Sequence, residues 1–322
     1  MIHEKNSFGI LASVISAIIL AGCGGGGGGS SGNGNGNAAT DTATPASGAS
    51  SPAAASSSTG SSTSLPTAAS SPTSASAPAS ASSPAVTGEA LPSLASPQAG
   101  STAATGSGPE GIWTSASGIY QTIAFIDPSN NVSSLTAASS FVVDEFYGVV
   151  SPTATSWTLT SGLDFTTSSI VYPTTSGSGT YVPKQSFTGS YTANNNTTNI
   201  GWTYNAANAL SVNQQSVAGT WSQTGTSMTI TSDGSLTGSL SGCNVSGSML
   251  LATAGSNQNL YTLTMSAAAG TSCAMPAGLV YTGTAAILFL PITGSNGYQR
   301  TIAYSAKASD NVHIAYGQLA KQ

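Results

Sequence analysis

Ser227-Met228-Thr229-Ile230-Thr231, followed by Asp233-Gly234-Ser235-Leu236, decides the fold class. In the first run the two apolar side chains share one face of an extended chain and the hydroxyls share the other. This period-two pattern is that of a half-buried strand. Asp-Gly tolerates positive φ and reads as a tight hairpin turn between two strands. The pattern recurs outward from this point. Tyr261-Thr262-Leu263-Thr264-Met265 alternates in the same way, and Val312-His313-Ile314-Ala315-Tyr316 sets an apolar trio opposite His313. Leu279 to Pro291 is longer and more continuously apolar, as expected of a central strand covered on both faces. No 3.6-residue apolar pattern persists for a helix's length, and Gly, Asn, Asp and Pro break the β-branched and aromatic runs. The fold class expected is all-β and largely antiparallel, as a β-barrel or β-sandwich.

Composition sets where that fold begins. All four tryptophans, all eleven tyrosines and six of the seven phenylalanines lie beyond Pro109. Gly111-Ile112-Trp113 and Gly219-Thr220-Trp221 echo each other 108 residues apart, each opening a stretch of strands. Tyr204 to Gln215, rich in Asn, Gln and Ser, reads as a connector. Two consecutive β units are expected, 109–210 and 211–322, with one continuous barrel or sandwich as the alternative. Residues 24–108 contain no aromatic side chain and only two charges, Asp41 and Glu89. Such a segment buries too little apolar surface to offset the entropy of ordering, so a disordered tether is expected over 23–108. It serves as a spacer, or as an O-glycosylated stalk given its Ser/Thr and Pro content.

The N-terminus supplies an address. Lys5 precedes a 14-residue apolar stretch, Phe8 to Ala21. As a helix that stretch spans about 21 Å, against roughly 30 Å of hydrocarbon, too short for a stable membrane anchor. It ends in Leu20-Ala21-Gly22-Cys23, which resembles the lipobox of bacterial lipoproteins. The resemblance implies that residues 1–22 are a signal peptide and that Cys23 becomes the lipidated N-terminus, carrying two or three acyl chains such as palmitate. Two or more chains hold a protein stably at a membrane. Gly24 follows the cysteine where inner-membrane lipoproteins often carry aspartate, so the outer membrane of a Gram-negative cell is the expected location.

Further resemblances concern the β domain. A Gly-x-Trp on an opening strand followed by up-and-down strands is similar to the lipocalin and calycin group. There, an arginine on a late strand often packs on that tryptophan. The single arginine, Arg300, lies in Gln299-Arg300-Thr301-Ile302-Ala303-Tyr304, so the resemblance implies a Trp221–Arg300 pair. The order of lipobox, low-complexity tether and β domain resembles Gram-negative surface lipoproteins with transferrin-binding-protein-like or factor-H-binding-like barrels. Gly219-Thr220-Trp221, Asp233-Gly234-Ser235-Leu236, Gly242-Cys243 and Cys273 resemble uncharacterised lipoproteins of proteobacteria.

With Cys23 assigned to lipid, Cys243 and Cys273 are left in an exported domain and are expected to form a disulfide. No Cys-x-x-Cys spacing or neighbouring histidine marks them as a redox or metal pair, and no metal or cofactor is expected. Acid-base chemistry is scarce. Beyond Pro109 the chain has seven acids, four bases and one histidine, His313. Asp144 and Glu145 are adjacent, so on a strand they point to opposite faces and cannot flank one scissile bond; one is expected in solvent, the other at a loop or rim. Asp127-Pro128-Ser129-Asn130-Asn131 reads as a turn. The net charge of −5 with no basic patch excludes nucleic acid as a partner. Trp157, Trp202, Tyr172, Tyr181 and Tyr191 either pack the core or offer surfaces for a sugar or a protein edge. Three functions stay open: a non-enzymatic display module binding a protein or glycan, a carrier of a small hydrophobic ligand, and an envelope hydrolase using Asp144, Asp164 or His313.

Overall fold

The computed structural model describes residues 88–322 apart from 139–140, 167–169, 241 and 271–272; the lipobox and Cys23 lie outside the described residues. Sixteen strands form two closed antiparallel barrels of eight strands each. Barrel 1 runs β1 (Gly111–Ser117), β2 (Tyr120–Ile126), β3 (Asn131–Ala138), β4 (Phe141–Pro152), β5 (Ser156–Thr166), β6 (Val171–Val182), β7 (Ser186–Ala193) and β8 (Asn196–Tyr204). Barrel 2 runs β9 (Gly219–Gln223), β10 (Thr226–Ile230), β11 (Ser235–Leu240), β12 (Cys243–Leu251), β13 (Tyr261–Ala267), β14 (Val280–Pro291), β15 (Tyr298–Ala308) and β16 (Ile314–Lys321). Each strand pairs with the next, and the last pairs with the first, Trp113 opposite Tyr204 and Trp221 opposite Lys321. Closure leaves no free sheet edge in either barrel.

The echo between the two Gly-x-Trp sequences is a shared structural device. Gly111 and Gly219 both have positive φ, 138° and 121°. Each following tryptophan turns fully into its barrel. Its indole N–H donates to a carbonyl four residues earlier, Pro109 at 2.9 Å and Val217 at 2.7 Å. The indole thus plugs one end of the barrel while its single polar group stays satisfied.

The fillings differ. In barrel 1 the Phe187 ring stacks between Trp157 (4.9 Å) and Trp202 (5.4 Å), and Phe146 stacks on Tyr191 at 4.3 Å. Space for Trp157 comes from Gly189, where a Cβ would lie 2.6 Å from the indole. Barrel 2 is filled mainly by Met228, Met249, Met265 and branched aliphatic side chains, with Trp221, Tyr261 and Tyr281. Cys243 and Cys273 form the expected disulfide, which ties the long β13–β14 connection to β12. Closing a loop of 30 residues removes about 3–4 kcal/mol of denatured-state entropy in the chain-entropy description. The Asp233-Gly234 hairpin is a four-residue connection rather than a two-residue turn. Asp233 accepts from Ser235 N–H and the Thr231 hydroxyl, and Gly234 takes φ 90°.

The barrels lie side by side. Ile112, Phe125 and Leu135 on the outside of barrel 1 pack with Leu260, Ala286, Leu288 and Ala303 of barrel 2. This seam explains the continuous apolarity of β14, since Ala285 and Ile287 face the barrel interior while Ala286 and Leu288 face the neighbouring barrel. Asn259 adds a polar link, donating to Ile287 O of its own barrel and to Ala207 O in the 3-10 turn Ala206–Ala209 that follows β8.

Residues 88–108, assigned by composition to the tether, pack on the barrels instead. Glu89 and Tyr298 exchange two backbone hydrogen bonds. Gln98 bonds backbone groups of Ala209 and Ser211. Ser101 caps the short helix α1 (Thr102–Thr105), and Ser101 and Thr102 are fully buried. Low aromatic content did not prevent ordering because the segment borrows the barrels' surface.

Candidate functional site

The inward-facing acids of barrel 1 gather at one mouth. Asp144 on β4 and Asp164 on β5 face the interior with Tyr191 of β7, whose hydroxyl donates to Asp164 Oδ1 (3.2 Å) and Asp144 Oδ2 (3.5 Å). Asp144 follows interior Phe146 by plain alternation, and a bulge between Val149 and Val150 on the β4–β5 pairing turns Asp164 inward beside it. Burial, then the hydrogen bond and charge of Asp164, hold the Asp144 carboxyl well above the usual carboxylate range. Tyr191 is raised by burial and by both acids. Below this polar layer, Val132, Phe146, Val150, Trp157, Phe187 and Ile200 line an apolar gap too narrow to hold a water molecule. The acids therefore sit on top of a filled barrel.

The rim around that mouth is apolar. The β1–β2 turn exposes Ile119 (63 %) and Tyr120 (50 %), β4 begins with Phe141 (52 %), and Ile170 (46 %) precedes β6. Two more exposed side chains, Val280 and Val312, sit at the corresponding end of barrel 2.

Glu145 points the other way, into the seam. It is fully buried, and its Oε1 accepts from the hydroxyls of Tyr147 (2.9 Å) and of Ser305 (2.7 Å) across the seam on β15. The Tyr147 and Ser305 hydroxyl oxygens also lie 2.8 Å apart, so a hydroxyl proton that serves this contact is withdrawn from the carboxyl. Glu145 Oε2 has no partner among the described residues. Burial pushes the carboxyl up to about 8, against the lowering effect of the two hydroxyls. The opposite orientations of Asp144 and Glu145 follow the strand alternation, but neither reaches open solvent as expected: one lies in the barrel mouth and the other in the seam.

The remaining candidates separate. Arg300 does not pair with Trp221. It lies over Phe289 (5.8 Å) and forms an ion pair with Glu89 (2.7 Å), because register sets it opposite Phe289 and the ordered N-terminal segment brings a carboxylate to it. Lys321, directly opposite Trp221, supplies the cation over the indole at 5.4 Å. His313 lies near the surface of barrel 2, its Nδ1 2.6 Å from Asp310, away from Asp144 and Asp164. Asp127 closes its turn through Ser129 and Asn131 N–H groups. Trp157, Trp202, Tyr181 and Tyr191 are core residues, and Tyr172 packs against that core. Among the described residues no three His, Cys, Asp or Glu side chains are placed to hold a metal ion. Comparison with protein families, curated proteins and solved structures returns no match to this chain.

Proposed function

We propose that the chain is a non-enzymatic envelope lipoprotein, anchored through Cys23 in the outer membrane, that displays the barrel pair and binds through its surface. The observation carrying this reading is the filling of both barrels: stacked aromatics occupy one and methionine with branched aliphatics the other. A carrier needs an enclosed volume for its ligand, and the gap in barrel 1 is too narrow for water. The disulfide fits an oxidising compartment. The sequence Leu20-Ala21-Gly22-Cys23 motivates the anchor.

The test is native purification from membranes followed by mass spectrometry of the mature N-terminus and of co-purifying molecules. The expected N-terminus is acylated Cys23, and Cys23→Ser should release the chain from the membrane fraction. An unmodified N-terminus defeats the anchor, and a hydrophobic molecule recovered in stoichiometric amount favours the carrier reading instead.

A further inference from the structure

The apolar side chains at the mouth of barrel 1 are concentrated at one end. The stretches of sequence that join the strands there, 117–120, 138–141, 166–170 and 193–196, contain no Asp, Glu, Lys or Arg. The turns at the opposite end, 127–130, 152–156 and 182–186, carry Asp127 and Lys184. Ile119, Tyr120, Phe141 and Ile170 therefore form an uncharged rim of aliphatic and aromatic tips, at the same end as Ser117 and the amides of Asn194, Asn195 and Asn196. Tyrosine and phenylalanine beside aliphatics match the boundary between headgroups and acyl chains. A protein partner selected by charge has nothing to pair with there.

We propose that this rim is a second, reversible membrane contact, seated in the headgroup–acyl boundary of the same bilayer that holds the anchor. The inference rests on the anchoring of Cys23. The described chain starts at Gly88, beside Ile292 and Tyr298, at the end of barrel 2 where β14 turns into β15. That end is opposite the rim. Glu145 and Tyr147, in the half of β4 nearer the rim, meet Ser305 in the half of β15 farther from Tyr298. The 64 residues between Cys23 and Gly88 extend to about 220 Å at most, whereas a strand of twelve residues such as β4 covers roughly 40 Å. The rim can thus turn back to the membrane without strain on the linker. Tethering keeps the bilayer at high local concentration around the rim, so four tips too few to hold a free protein suffice for an anchored one. Covering the mouth brings no newly buried charge, since Asp164 is already buried and Asp144 is largely so.

The experiment uses the mature lipidated chain in phosphatidylethanolamine–phosphatidylglycerol vesicles containing brominated phosphatidylcholine, which quenches nearby indoles. The four native tryptophans are buried inside the barrels and should be little affected. Phe141→Trp is expected to show blue-shifted emission quenched at least two-fold, insensitive to salt between 0.1 and 1 M. Val182→Trp, at the opposite end, should stay water-exposed and unquenched. Adding Ile119→Ser to Phe141→Trp should relieve much of the quenching. A chain that floats with the vesicles but shows equal, unquenched emission at both positions overturns the rim contact, leaves the anchor standing and assigns the rim to a protein partner. A chain that does not float defeats the anchor, and with it the proposal.

Discussion

Barrel 1 lays Trp157, Phe187 and Trp202 in near-parallel planes across its interior and sets two carboxyl groups and a tyrosine above them. Barrel 2 fills the equivalent space with Met228, Met249, Met265 and branched aliphatics and adds a disulfide. Both use the same frame of eight meandering strands, a positive-φ glycine and a tryptophan bonded four residues back. The frame is therefore set by register and by the tryptophan latch, and the filling is free to vary within it. The covalent cross-link belongs to barrel 2 alone among the described residues, while strands covered on both faces occur on each side of the seam. Polar groups in costly positions collect in barrel 1, where interior acids lie beneath exposed apolar tips.

The largest test of the shared frame is the latch. Trp113→Ala and Trp221→Ala should each cost about 3–5 kcal/mol, measured by urea unfolding, because each removes a fully buried indole. Equal losses sustain the equivalence of the barrels; a loss confined to one breaks it. Next comes the cross-link. Cys243→Ala with Cys273→Ala should destabilise by about 3–4 kcal/mol, with hydrogen exchange accelerating first in β12 and the β13–β14 connection. Acceleration beginning in barrel 1 would contradict the division of labour between the two.

A third test uses the seam. Glu145 holds its proton more tightly folded (about 8) than unfolded (near 4.5). Between those values the folded state binds more protons, so its contribution is complete below pH 4.5, falls by about 1.4 kcal/mol per pH unit at most, and is lost as pH passes 8. Asp144 shifts in the same direction and adds to the slope. Glu145→Gln, which keeps an acceptor for Tyr147 and Ser305, should flatten the thermal stability profile between pH 5 and 8. An unchanged slope would remove Glu145 from the account. The smallest effect is at Lys321. Lys321→Met should cost about 0.5–1 kcal/mol from loss of the exposed cation over Trp221, and Arg300→Met should leave Trp221 fluorescence unchanged.

Strand class, the two-unit repeat and the disulfide were legible because each depends on local pattern or on counting. Met228 and Ile230 alternate with hydroxyls, and two Gly-x-Trp sequences stand 108 residues apart. The acids of the barrel mouth were not legible. Counting by twos along β5 from Trp157 puts Asp164 on the outer face; the bulge opposite Val149 and Val150 restores it to the interior. A bulge is decided by pairing with a neighbour and leaves no mark in either strand's own alternation. The Arg300 assignment failed for a related reason: the partner over Trp221 follows from which residue closes the barrel, and that residue is Lys321. The ordering of 88–108 was hidden because its contacts belong to surfaces formed by distant sequence.

The paired backbone bonds between Glu89 and Tyr298, with the Glu89–Arg300 ion pair beside them, have a mechanical consequence. A pull transmitted along the chain from its N-terminal side reaches this clasp before it reaches Gly111. The load is shed into β15, a strand held on both sides by eleven-residue and seven-residue ladders. The closure of β1 on β8, which rests on only two register pairs, is kept out of the line of force.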